Sequence, residues 1–171
     1  YLASKECANA LLGDYNDEWN NEDYYDYDVE KAKECLANSG LSDVSLILMT
    51  STDENEKAMA VFIQQYLSVI GIDVQINSYD AALLTEYKND PSMWDLRIDM
   101  LGNSDYCADA WNLQVISNVT GLNSFLVADE TMDQLIAEAG GLDTHSAETV
   151  EAVHDYNYEQ CYYIPLGNNY K

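Results

Sequence analysis

The feature that most constrains the fold is a strand–helix–strand pattern in residues 44–77. Residues 44–50 form a short apolar run rich in strand formers, which predicts a buried strand. A broad apolar stripe over 54–70, followed by Gly71, predicts a helix that ends at this glycine. Residues 73–77 alternate between polar and apolar side chains, as a second strand does. The pattern therefore predicts two parallel strands joined by a right-handed crossover.

Strands and helices continue to alternate along the rest of the chain. The sequence predicts helices at 81–88, 130–139 and 146–162, and strands at 95–101 and 163–166. The predicted apolar face of the 54–70 helix comprises Ala58, Val61, Phe62, Ile63, Tyr66, Leu67 and Ile70. This order indicates an α/β fold in which helices flank a mixed sheet. With 171 residues the chain can bury a core of its own, so we expect one domain over residues 1–171.

The charge of the chain argues against two classes of partner. Its 31 acidic and 7 basic residues give a formal net charge of −24, which repels nucleic acid phosphates and anionic membrane surfaces. No apolar run reaches the roughly 20 residues that span a bilayer. We interpret the excess of acidic residues as a means of keeping the protein soluble outside the cell. The second interpretation is that these residues attract cationic ligands. Because the chain begins at Tyr1 with neither an initiator methionine nor a signal peptide, we expect it to be part of a longer protein.

The spacing of cysteines argues against metal and redox chemistry. Cys7, Cys35, Cys107 and Cys161 lie far apart without a C-x-x-C pair or a paired histidine, so we expect neither a zinc site nor a thioredoxin-type site. The four cysteines could form two disulfides in any pairing, or they could be free thiols. We favour free thiols, and we expect Cys35 to be buried on its helix. The acidic segment 14–28 lacks the glycine and the closing glutamate of a calcium loop, so we expect no metal there.

A short capped helix at 27–40 is the first segment that resembles a known family. Asp28 can cap its first turn, and Gly40 can end it. Its one apolar face comprises Val29, Ala32 and Leu36. The segment resembles the signature "Y-D-P-E-K-A-K-x-L-L-x-x-A-G" of the oligopeptide- and dipeptide-binding type of extracellular solute-binding proteins, family 5, which serve ABC importers.

Four further segments resemble the same family in the same order. Residues 58–76 look like "A-x-x-I-Q-x-x-L-x-x-I-G-I-x-V-x-I", and Trp94-Asp95-Leu96 resembles the "F/W-D-L" that opens the next strand. Residues 129–139 are similar to "N-P-E-x-D-x-L-I-x-E-A", and residues 162–166 resemble the terminal "A-P-x-I-P-L". The ordered series is specific, although each segment is weak alone.

The resemblance implies both a fold and a function. The fold would be one lobe of a periplasmic-binding-protein-like type II protein, whose two lobes close around a ligand. The protein would be the non-enzymatic substrate-binding component of an ABC importer, extracellular or periplasmic, as a cell-surface lipoprotein or a free protein. Its partners would be a peptide or similar small solute, the membrane permease and the other lobe of the same protein, with no cofactor. An acidic adhesion or structural module and a carboxylate-based hydrolase are the alternatives, although His145 and His154 have no nucleophile motif nearby.

The resemblance also selects four ligand-binding residues. Asp105 matches the aspartate of the family's "G-W-x-x-D-Y-x-D-P" motif, which pairs with the ligand's α-ammonium group, and a turn-capping aspartate is the alternative. Tyr106 and Trp111 would form the walls of a pocket for a ligand side chain. The alternative is that they only pack against other residues of the protein. Asn123, near the family's "G-x-N", would hydrogen-bond the ligand backbone. Gly102 replaces the usual tryptophan, so the pocket would be roomier, and the ligand could be a nickel complex, a sugar or another small solute instead of a peptide.

Overall fold

The computed structural model describes residues 27–90, 92–99 and 129–162, together with Ile164 and Leu166. These residues belong to two compact units. One unit lies within Asp28–Leu101, and the other combines Gly102–Lys171 with Tyr1–Tyr27. In the described part of the chain, no helix has both the length and the apolar character needed to cross a membrane.

The first unit is built on a parallel sheet. Its three described strands are β1 (Ser45–Ser51), β2 (Asp73–Tyr79) and β3 (Leu96–Arg97), in the order β2-β1-β3. β1 pairs in parallel with both neighbours, so the predicted parallel strand pair is confirmed. The described part of the third strand is shorter than predicted, and positions 100 and 101 lie outside the described residues.

Five described helices begin at or within about two residues of their predicted starts. They are α1 (Val29–Asn38), α2 (Glu54–Val69), α3 (Ala81–Tyr87), α4 (Glu130–Ala139) and α5 (Ala147–Gln160). Each follows a residue whose side-chain oxygen accepts a hydrogen bond from a first-turn amide, namely Asp28, Asp53, Asp80, Asp129 and Ser146. Such caps satisfy amides that have no partner within the helix, which is why these bounds are readable from the sequence.

The core of the first unit lies between α2 and one face of the sheet. Its fully buried apolar members are Leu48, Ala60, Val74 and Ile98. Around them pack the half-buried side chains of Met59, Ile63, Leu67, Ile72, Ile76 and Leu96. Ala60 is completely covered because its small side chain lets the helix approach the strands closely.

The predicted apolar face of α2 is wrong in part. Val61, Phe62 and Tyr66 are 43%, 56% and 40% exposed, whereas the side that meets the sheet includes Glu56 and Ala60. Adjacent helical positions are separated by about 100°, so the face centred on Ala60 turns its neighbours Val61 and Phe62 away from the sheet. The length and position of the helix were predicted correctly, but its rotation was not.

Helix α1 contains no fully buried residue. Asp28 Oδ1 accepts the Lys31 amide at 2.9 Å, and Gly40 has a φ of +72°, so both predicted ends are confirmed. Cys35 is an exposed free thiol, which corrects the prediction of a buried one. The reason is that α1 offers only a half-buried face, so it has no interior position for the thiol.

The second unit contains α4 packed against α5. The contact buries Met132, Ile136 and Ala139 of α4 and Val150 and Val153 of α5. Asp129, which caps α4, also accepts hydrogen bonds from the hydroxyls of Tyr156 at 3.0 Å and Tyr162 at 2.6 Å. The end of α5 is therefore held at the start of α4, and the two helices run antiparallel.

The segment after α5 differs from the prediction of a terminal strand. Cys161 ends α5 in the left-handed conformation, with a φ of +56°. Ile164 and Leu166 belong to no strand, while positions 163 and 165 lie outside the described residues.

Candidate functional site

The four predicted ligand-binding residues lie outside the described residues. Asp105, Tyr106, Trp111 and Asn123 all fall within positions 100–128, so their roles stay predictions. The structure does describe the strand that leads into them. In open parallel sheets, ligands bind beyond the carboxyl ends of the strands. The candidate site is therefore the carboxyl edge of this sheet, formed by Thr50 and Ser51, Tyr79 and Asp80, and Arg97 and Asp99.

The end of β1 is held by a closed set of hydrogen bonds. The Ser51 amide donates to Glu56 Oε2 at 3.1 Å, and the Asp53 amide donates to Ser51 Oγ at 3.0 Å. Ser78 of β2 donates from its hydroxyl to the Ser51 carbonyl at 2.7 Å. The neighbouring Thr50 Oγ1 is buried without a hydrogen-bond partner in the described structure. The amide, the hydroxyl oxygen and the carbonyl of Ser51 are therefore all hydrogen-bonded within the chain.

The start of β3 is aligned by a side chain. The Asp95 amide donates to the Ile47 carbonyl at 2.9 Å, and Asp95 Oδ2 accepts the Ile47 amide at 2.7 Å. The carboxylate thus takes the place of a backbone acceptor in the parallel ladder. Nearby, Trp94 Nε1 donates to the Lys88 carbonyl at 3.2 Å and ties the end of α3 to this strand. The tryptophan and aspartate of the W-D-L segment therefore have a positioning role that the sequence did not reveal.

This alignment sets Arg97 beside Met49 on the sheet face opposite the α2 core. The Arg97 side chain is only 8% exposed. Its guanidinium carbon lies 5.1 Å from the centre of the Trp94 ring, and its Nη2 donates to Asp99 Oδ2. Its Nη1 is buried and has no hydrogen-bond partner in the described part of the chain. The N–H donors of a buried arginine normally all have hydrogen-bond partners, so an unpaired Nη1 is unusual.

Arg97 is not among the residues predicted from the sequence, although one signal was available. It is the only arginine among the 171 residues, and it stands between Leu96 and Ile98 in a chain of net charge −24. A charged residue in the middle of an apolar strand is rarely buried without a partner or a function. The strand pattern alone could not show that the side chain is covered.

A cavity of about 250 Å³ lies next to Arg97. Three of its lining residues lie on α3, and a fourth is the C-terminal cap of this helix. The other two, Arg97 and Asp99, lie in β3 and shortly after it. This Arg97 cavity is defined by Ala81, Leu84, Thr85, Lys88, Arg97 and Asp99. Among the described lining residues, the charged groups are those of Lys88, Arg97 and Asp99.

The two described histidines of the second unit have different surroundings. His145 Nδ1 lies 2.7 Å from the Ala139 carbonyl oxygen. His154 is 1% exposed, neither of its ring nitrogens has a hydrogen-bond partner in the described structure, and burial lowers its pKa to about 4. His154 is therefore neutral at pH 7, without a nucleophile or acid in hydrogen-bond contact.

Asp129 forms a structural network. The hydrogen bond from Tyr162 is the main cause that lowers the pKa of Asp129. Burial, followed by the hydrogen bond to Asp129, raises the pKa of Tyr162 to about 12. Because the carboxylate is occupied by two phenols and the amides of Thr131 and Met132, it serves α4 and α5 and not a ligand. Among the described residues, no three His, Cys, Asp or Glu side chains are grouped to hold a metal ion.

Solved structures with the same fold include proteins much longer than this chain. OppA of Haemophilus influenzae, in complex with RPPGFSPFR, superposes with a TM-score of 0.70 at 17% identity over 82% of this chain and 29% of its own. NikA of Staphylococcus aureus, in complex with Ni(L-His)2, superposes with a TM-score of 0.71 at 18% identity over 92% of this chain and 38% of its own. The chain thus spans well under half the length of either protein.

One further solved structure is similar in length. A peptide-binding protein of a peptide ABC transporter superposes with a TM-score of 0.72 at 15% identity, over 97% of this chain and 86% of its own. These likenesses confirm the expected α/β fold of the periplasmic-binding-protein type. No curated protein sequence gives a significant match. A family model, however, matches residues 8–130, more than two thirds of the chain, and the chain belongs to the bacterial extracellular solute-binding proteins, family 5.

Proposed function

We propose that this chain is one lobe of the substrate-binding component of an ABC importer, and that a peptide or similar small solute is captured between it and a second lobe. The observation that carries the proposal is the family match over residues 8–130. OppA of Haemophilus influenzae is in complex with a peptide and NikA of Staphylococcus aureus with Ni(L-His)2, so both solute classes are candidates. The remaining partners are the other lobe and the membrane permease.

We propose that residues 1–171 form this lobe as one structural domain. Support comes from the peptide-binding protein whose chain is covered over 86% of its length, because that protein has a similar extent. The lobe would be extracellular or periplasmic, attached as a lipoprotein or free, and its net charge of −24 favours solubility in either place.

Asp105, Tyr106, Trp111 and Asn123 are the proposed ligand contacts. The support is positional, because the chain enters positions 100–128 directly from the carboxyl end of β3, where α/β proteins bind ligands. Asp105 would pair with a ligand ammonium group, and the aromatic pair would wall the adjacent pocket. The proposed role is binding and not catalysis, which agrees with the solute-binding family to which the chain belongs.

Isothermal titration calorimetry on the full-length parent protein tests this proposal, with short peptides and Ni(L-His)2 as ligands. Asp105→Asn should weaken binding of an ammonium-bearing peptide by about 2–5 kcal/mol, because it leaves a desolvated ammonium without its counter-charge. The matched control is Asp143→Asn, an exposed acid of the second unit, which should change affinity by less than about 1 kcal/mol. Equal losses in both variants, or no binding of any ligand by the parent, would contradict the proposal.

A further inference from the structure

We propose that the outer edge of β2, the side of this strand that does not face β1, pairs with the same edge of a second copy of this chain. β2 is the last strand on one side of the described sheet, whose order is β2-β1-β3. A strand at this position exposes backbone N–H and C=O groups that another strand can satisfy. The proposal does not depend on which solute the protein binds, because none of the four proposed ligand contacts lies in β2.

The pairing of β2 with β1 shows which backbone groups point to the outer edge. Asp73 donates its amide to the Val44 carbonyl at 2.9 Å, and the two strands stay in parallel register from there to the end of β2. Asp73 and every second residue after it therefore face β1. The residues between them direct their N–H and C=O groups away from β1. They are Val74, Ile76 and Ser78.

The first part of the outer edge is already covered by the protein itself. The Val74 carbonyl accepts a hydrogen bond from Gln64 Nε2 of α2 at 2.6 Å, and Val74 is buried. The N–H and C=O groups of Ile76 and Ser78 have no such partner in the described structure. Four backbone groups are thus available at the outer edge, two donors and two acceptors.

β2 lacks the features that normally prevent an edge strand from pairing. Natural edge strands are interrupted by charged side chains, proline or a bulge. Residues 74–79 contain no charged residue, no proline and no glycine, and they pair with β1 without interruption. In a chain of net charge −24, an uncharged edge lets two copies meet without like charges at the centre of the contact.

A two-fold axis at Asn77 would satisfy all four groups at once. In an antiparallel pair, residues that lie directly opposite each other exchange two hydrogen bonds where their groups face each other. With Asn77 opposite Asn77 of the second copy, Ile76 of each copy lies opposite Ser78 of the other. This arrangement gives four hydrogen bonds between the copies. The covered Val74 carbonyl lies beyond this stretch, so the pairing ends there and closes as a dimer.

Helix α2 offers a second, adjoining contact. The hydrogen bond of Gln64 to β2 shows which flank of α2 faces the outer edge. Val61, Gln65 and Ser68 lie on this flank, exposed and at helical spacing, and α2 carries no charge over residues 58–69. Paired strands are about 4.8 Å apart. Two α2 helices, each packed over its own β1 and β2, would therefore lie at about 10 Å, the distance of packed helices.

Sedimentation velocity of the 171-residue chain measures the association. We expect a reversible dimer whose fraction rises with protein concentration. The fraction should be larger at about 1 M than at about 0.15 M NaCl, because salt screens the repulsion between two acidic chains. A chain that stays monomeric at every concentration and in both salts overturns the proposal, and so do assemblies larger than a dimer.

Amide hydrogen exchange, followed by NMR, locates the contact. The amides of Ile76 and Ser78 should exchange more slowly as the dimer forms, because they gain acceptors. The amides of Gln75 and Asn77 already face β1 and should change less. A dimer in which Ile76 and Ser78 exchange as fast as in the monomer would show that the copies meet elsewhere.

Asn77→Lys is the test variant, because it places two lysines directly opposite each other at the two-fold axis. Such like charges should weaken dimerisation by about fivefold, and added salt should reduce this loss. Asn38→Lys is the matched control, since Asn38 is exposed at the end of α1 and the variant makes the same change in net charge. It should dimerise at least as well as the wild type. Equal dimerisation of the two variants contradicts the pairing at Asn77.

Discussion

Replacing His154 should remove a large part of the acid sensitivity of this protein. The imidazole is buried on α5, and neither ring nitrogen has a partner in the described structure. Burial lowers its pKa from 6.5 to about 4, because the charged form is poorly solvated there. The unfolded chain therefore takes up a proton on this side chain at a higher pH than the folded protein does.

The size of the effect follows from the two pKa values. Above the unfolded value of 6.5 the histidine is neutral in both states, and its contribution to stability is fully present. As the pH falls from 6.5 towards about 4, only the unfolded state gains the proton, so the free energy of unfolding declines. At about 1.4 kcal/mol for each pH unit, the difference of roughly 2.5 units amounts to about 3 kcal/mol.

Urea unfolding of the wild type and of His154→Leu across this pH window measures the effect. The leucine has a similar volume and no polar atoms to desolvate, so its stability at pH 7 should be close to that of the wild type. Protonation of the many carboxylates also relieves charge repulsion in a chain of net charge −24, so the quantity to compare is the difference between the two proteins. That difference should move by about 3 kcal/mol in favour of His154→Leu as the pH falls.

The control is His145→Gln, which removes an exposed histidine and leaves His154 in place, so this variant should retain the loss of stability that His154 causes. If His154→Leu and the wild type lose stability in parallel between pH 6.5 and about 4, then burial does not hold His154 neutral, and the reasoning fails.

Three further substitutions in the first unit can be followed by the same urea unfolding at pH 7. Leu48→Ala should destabilise by about 2–5 kcal/mol, since it empties a core position that is 1% exposed; a loss below 1 kcal/mol would contradict the core assignment. Asp95→Ala should lower the free energy of unfolding by about 0.5–1.5 kcal/mol, because the Ile47 amide loses its acceptor, whereas the exposed Asp143→Ala should not show that loss. Gly71→Ala should cost about 1–2 kcal/mol because φ is +87°, although the added methyl group meets nothing within 4 Å, so an unchanged stability would refute the strain argument.

Local signals account for most of what the sequence predicted correctly. The caps at Asp53, Asp80 and Asp129 act within one helical turn, so their residue types are enough to set the helix starts. The parallel pairing of β1 and β2 follows from a helix between two strand-like segments. Each of these features depends on residues close together in the chain.

The rotation of α2 and the burial of Arg97 depend on contacts that are distant in sequence. Helix α2 carries apolar residues on more than one side, and only packing decides that Ala60 is covered while Phe62 is 56% exposed. Arg97 is buried because Asp95 and Trp94 fix its strand against β1 and α3. The candidate residues from Asp105 to Asn123 were selected by family resemblance, and they lie outside the described residues.

The side-chain bond from Asp95 to β1 has a consequence for how such a lobe can acquire new specificities. Because Asp95 bonds to Ile47 through both its amide and its carboxylate, the register of β3 is set before the strand begins. Substitutions at positions 105–123, which hold the candidate ligand residues, leave both of these bonds in place. Ligand specificity can therefore change by substitution there without removing the contacts that align β3 with β1.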